Sequence, residues 1–158
     1  MKAKKYDEPR GIKAKKYDEP RGIMLWKCEI FATTFKLSSI KNGYDSEHFV
    51  KTVMTAKDLD WLFAIDDCQE WCDGYYLMSV LDNLKKFKKG NNVNDYAMWF
   101  LGYLYKYWMK TRGVSRQQIY KILPFERYMA SFEFYHTQGW DYVIEDAIKT
   151  YKDKTYII

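Results

Sequence analysis

The stretch "YAMWFLGYLYKYWM", Tyr96 to Met109, decides the fold. Asn94 precedes it as a good helix cap, and Gly113 follows as a left-handed stop. Together they predict one helix from Asp95 to about Arg112. A helix that is apolar on nearly every face belongs in the interior. A membrane span is the competing reading. It fails on length, because a span needs about 20 apolar residues, and Lys106 interrupts this run.

Working toward the C-terminus, Ser115 and Gln118 form a capping box that opens "QQIYKIL". Pro124 suits the first turn of a helix through Phe125, Tyr128, Met129 and Phe132. The last segment, "FYHTQGWDYVIEDA" (Phe134–Ala147), gathers a histidine, a threonine and three carboxylates. Trp140, Val143, Ile144, Ala147, Ile148 and Tyr151 make a full apolar stripe at helical spacing. Asp141 and Glu145 then face water, and Asp146 sits at the stripe's edge. Thr137 is placed to cap this helix, with Gly139 easing the turn into it.

Toward the N-terminus the reading changes. "LWKCEIF" alternates Trp26, Cys28 and Ile30 with Lys27 and Glu29, which fits one short strand. "IKNGYDS" is a turn, and Ser46 suits the cap of a helix through Phe49, Val50, Val53 and Met54. Thr55 and Asp58 suggest a second capping box ahead of "LDWLFAI". Ile65, Cys68, Cys72, Tyr75 and Ser79 then recur on one helical face. The fold class is mainly α: a single compact bundle of five to seven helices around the central helix 95–112, with one short N-terminal strand.

The first residues stand apart. "KAKKYDEPRGI" fills Lys2–Ile12 and recurs unchanged over Lys13–Ile23. Two short polar copies, each with a Pro and a Gly, cannot bury a core. The expectation is a disordered leader over 1–23, an artefact of the start or a plain tail, and one helical domain over 24–158. The leader holds six Lys and two Arg against four acids, a net of +4. The whole chain is +5, so the remainder is about +1. A near-neutral body argues against nucleic acid.

Three cysteines, Cys28, Cys68 and Cys72, imply no disulfide framework. The first residues lack the apolar core of an export signal, which points to the cytoplasm. Cys68 and Cys72 lie one helical turn apart, and Cys28 with His48 or His136 would complete four zinc ligands. Cysteines buried in a core explain the same residues more plainly. The expectation is no metal and no cofactor. No glycine-rich phosphate loop occurs, and no nucleophile stands at a recognisable spacing from His136.

Charge is distributed unevenly. Lys57–Asp82 carries seven acids against one Lys, and Tyr103–Arg127 carries six bases against Glu126. The two segments either neutralise one another across helices or form docking faces. "TRGVSRQQIYKIL" has a helix-turn-helix outline, with Arg116, Gln117 and Gln118 as base-reading types.

From about Asp95 to Tyr151 the chain resembles a family of small helical bacterial domains of unknown biochemical function. These are encoded beside toxins of the ADP-ribosyltransferase type. The likeness rests on "MWFLGYLYKYW", on the capped helix after "GVS", and on His136, Thr137, Gly139, Tyr142 and Asp146 in the final segment. It implies an antitoxin or accessory role. The expected function is therefore a non-enzymatic module that docks another protein, such as a toxin encoded by a neighbouring gene. Asp58, Asp60, Trp61, Asp66, Asp67, Glu70, Trp71 and Asp73 form the expected acidic, aromatic-bearing surface. The alternatives are a helix-turn-helix DNA regulator and a phage-type inhibitor of a host defence protein.

Overall fold

A computed structural model describes residues 21–64 and 73–157. The described residues form eight α-helices: α1 (Arg21–Ile40), α2 (Ser46–Thr55), α3 (Asp60–Ala64), α4 (Gly74–Leu84), α5 (Asp95–Arg112), α6 (Arg116–Ile122), α7 (Phe125–Tyr135) and α8 (Trp140–Ile157). A 3-10 turn, Lys57–Leu59, separates α2 from α3. Among these residues there is no strand, and a single β-bridge pairs Tyr44 with Lys89. One apolar core runs from Cys28 on α1 to Ala147 on α8.

α5 lies where its composition requires, at the centre. The eight residues from Leu101 to Trp108 are all buried. Asn94 caps it, its side chain accepting from the Ala97 amide at 2.8 Å. Gly113 ends it at φ 64°, a left-handed conformation that costs glycine least. Two tyrosines tie it to its neighbours. The Tyr105 hydroxyl donates to the Leu123 carbonyl at 2.7 Å, and Tyr128 on α7 donates to the Ala97 carbonyl at 2.6 Å. Each buried phenol thus satisfies its hydroxyl on a backbone group.

The expected strand is replaced by the first half of α1, which packs antiparallel along α5. Trp26, which a strand would bury beside Cys28 and Ile30, is 43% exposed. The buried set Lys27, Cys28, Phe31, Thr34, Phe35 and Ser38 follows helical spacing instead. Seven alternating residues fit either period. The pattern through Ser38 fits only the helix, and α5 supplies the long apolar surface that stabilises it. The seam is tight at Gly102: a Cβ there would lie 2.6 Å from the Phe31 carbonyl oxygen and 3.0 Å from the Ala32 Cα. Farther along, Ser39 donates to the Val93 carbonyl at 2.8 Å.

Several local expectations shift. The first described residues, from Arg21 onward, belong to α1. Asp45, not Ser46, caps α2, accepting from the His48 amide at 3.0 Å. Ser46 lies inside the helix, where its buried hydroxyl accepts from the Val93 amide. Thr55 caps nothing, because its hydroxyl donates back to Lys51. Tyr75 and Ser79 face water, and α4 buries Gly74, Leu77, Met78 and Leu81. Pro124 is the N-cap of α7. Among the described residues eight helices form where five to seven were expected, since α1 takes the place of the strand. The α6 capping box and the apolar stripe of α8 stand as predicted.

Candidate protein-docking surface

The acidic segment is tied into the fold more closely than its sequence suggests. Asp58 accepts from the Lys85 ammonium at 2.7 Å, pinning the 3-10 turn to the end of α4. Asp73 caps α4, its side chain accepting from the Tyr76 amide at 2.8 Å. Asp60 takes two donors on one oxygen: Arg116 Nη2 at 2.5 Å and Gln117 Nε2 at 3.1 Å. The Gln117 hydrogen bond, then the Arg116 guanidinium, holds the Asp60 carboxyl below its ordinary value. Trp61 stands on the outer side of α3, 55% exposed. Asp66, Asp67, Glu70 and Trp71 lie outside the described residues, as do Cys68 and Cys72.

Arg116 is the hub that the sequence reading missed. It is 4% exposed. Its guanidinium donates to the Val53 carbonyl and, at 3.1 Å, to the Ala56 carbonyl, closing the C-terminal end of α2. The same group lies over the Phe63 ring at 4.6 Å and pairs with Asp60. Burial pulls its pKa down, and Asp60 counters that pull. One cation therefore locks α2, α3 and α6 together, using the planar fork that only Arg offers. Its position just after a capping serine was the available signal. The helix-turn-helix reading loses two of its three base-reading residues here, because Arg116 is buried and Gln117 is bound to Asp60.

The final segment packs against its neighbours. His136 closes α7 and packs on rings, stacked on Phe132 at 5.0 Å and edge-on to Tyr96 at 6.2 Å. Asp146 accepts from the Tyr135 hydroxyl at 2.9 Å, which holds α8 to α7. Thr137 does not cap α8, as expected from sequence. Its hydroxyl donates back to the Phe134 carbonyl at 2.7 Å, at the end of α7. Gly139 precedes α8 in open space. Tyr142 is 50% exposed and meets Phe134 edge-on at 6.0 Å. Asp141 and Glu145 face water, and both pair with Arg112, at 3.5 and 2.7 Å.

Among the described residues no group of three His, Cys, Asp or Glu side chains is placed to hold a metal ion. Cys28 lies buried on α1, and His48 Nδ1 accepts from the Lys88 amide at 3.3 Å. No described helix is long and apolar enough to cross a membrane. What the acidic region offers outward is aromatic. Trp61 precedes segment 65–72, and Tyr75 and Tyr76, 59% and 44% exposed, follow it. Comparisons with protein-family models, with curated proteins and with solved structures return no match.

Proposed function

We propose that this chain is a non-enzymatic protein-binding module of the antitoxin or accessory kind. It docks a partner protein through α3 and the start of α4. The observation that carries the reading is Trp61, an indole left more than half in water beside a core that takes in most of the large rings. Exposed Trp and Tyr are the side chains that most often anchor an interface. Tyr75 and Tyr76 add two more. The acids play a smaller part than their number suggests. Asp58 and Asp60 are already paired with Lys85 and Arg116, which weakens the field they present. Aromatic burial then supplies most of the affinity, and charge sets approach and orientation.

The partner expected from the resemblance is a toxin encoded by an adjacent gene. The test is titration calorimetry of this chain with that gene product. A complex should form, and Trp61→Ala should weaken it by about tenfold or more with an unchanged melting temperature. Equal affinity of the Trp61→Ala variant, or no complex at micromolar concentration, would sink the reading.

A further inference from the structure

A second site lies away from α3, where α1 passes the start of α5. An open cleft of about 290 Å³ is lined by Lys36, Asp95, Tyr96 and Trp99. We propose that this cleft binds a single nucleotide whose base carries an exocyclic amino group.

Three features support the proposal. The first is a platform. The Tyr96 and Trp99 rings lie within 12° of parallel, with centroids 6.3 Å apart. Both are braced. Phe132 meets Tyr96 edge-on at 5.9 Å, and Tyr103 lies against Trp99 at 5.3 Å. A braced ring with an exposed face is ready to take a stacked base, at little ordering cost. The second is a separated charge pair. Lys36 and Asp95 share the cleft, yet no ion pair joins them, and neither has a hydrogen-bonding partner among the described residues. A ligand with an anion at one end and an amino donor at the other satisfies both. A phosphate suits Lys36. The amino group of cytosine, adenine or guanine suits the Asp95 carboxylate, whereas uracil turns carbonyl oxygens toward it. The third is size. The volume is at the lower end for a ligand pocket, roughly 300 Å³, and among the described residues one cation, Lys36, lines it. That fits one nucleotide. A strand needs a track of cations.

The test is calorimetry of the full chain with CMP, AMP, GMP and UMP, and with L-tryptophan. CMP, AMP or GMP should bind saturably, roughly tenfold more tightly than UMP. Lys36→Ala should weaken the monophosphate and leave the nucleoside unchanged. Asp95→Asn should erase the preference over UMP. Tyr96→Leu should weaken every nucleotide by roughly tenfold, with the melting temperature as the folding control. The inference is overturned if no nucleotide binds at millimolar concentration. It is equally overturned if Lys36→Ala changes nothing, or if L-tryptophan, which also carries a ring and two opposite charges, binds as tightly as the best nucleotide.

Discussion

At the scale of residues, two glycines of the same type have opposite roles. Gly102 lies where α1 and α5 touch backbone to backbone, and a methyl group there would strike the Phe31 carbonyl oxygen. Gly102→Ala should therefore lower stability by about 1–3 kcal/mol in chemical denaturation, despite alanine's better helix propensity. Gly22→Ala has open space around it and should be neutral or stabilising. Equal effects would mean that the helix seam is not as close as described. Arg116 and Asp60 give a pH signature. The Asp60 carboxyl is held below its usual value in the fold, so its contribution is present above the ordinary carboxylate range. It is lost as pH falls through the folded value. Melting temperature measured from pH 7 to 2 should fall less steeply in Asp60→Asn. Arg116→Ala should cost about 2–4 kcal/mol at neutral pH, because the Val53 and Ala56 carbonyls lose their donor. Arg116→Lys should not restore it, since an ammonium cannot span the three acceptors.

At the scale of elements, the caps separate legible from illegible signals. Ser115 and Gln118 exchange hydrogen bonds in both directions, as their spacing implies. Asn94 and Gly113 bound α5 for equally local reasons. These motifs close within four residues, so nothing distant overrides them. Thr137 and Thr55 carry the same residue type in similar settings, yet each hydroxyl turns back to the preceding helix. Ser115→Ala should cost about 1 kcal/mol, whereas Thr137→Ala should cost under about 0.5 kcal/mol. Urea titrations of the two variants decide this, and a larger loss for Thr137→Ala would restore it as a cap. α1 is the clearest case of a misleading local pattern. Alternation over Trp26–Ile30 is real, but the segment lies against a long apolar helix rather than beside another strand. Without a strand partner its backbone groups are satisfied only within a helix.

At the scale of the whole molecule, the tyrosines link packing to alkaline stability. Burial raises the Tyr105 and Tyr128 hydroxyls well above their ordinary value, and burial with the Asp146 contact raises Tyr135. A raised folded value means that stability is fully present below the unfolded tyrosine value near 10 and is lost as pH rises beyond it. Phenolate absorbance should thus rise in two steps between pH 9 and 13. The enclosed set, Tyr105, Tyr128 and Tyr135, should ionise only as the fold gives way. A single smooth titration near pH 10, with far-UV circular dichroism unchanged, would show that these hydroxyls are not enclosed.

The sequence alone determined the central helix, its two ends, the α6 cap and the inward stripe of α8. Each depends on residues within one or two turns of one another, so local chemistry suffices. Tertiary structure decided the rest. The α1–α5 seam at Gly102, the Arg116 lock across α2, α3 and α6, and the pairing of Asp58 with Lys85 join residues 27 to 71 positions apart. An ion pair or a close backbone approach at such separation leaves no periodic trace in the chain. The same reason explains why Asp58, Asp60 and Asp73, read from sequence as part of a docking face, are tied to neighbouring groups, with Trp61, Tyr75 and Tyr76 left outward.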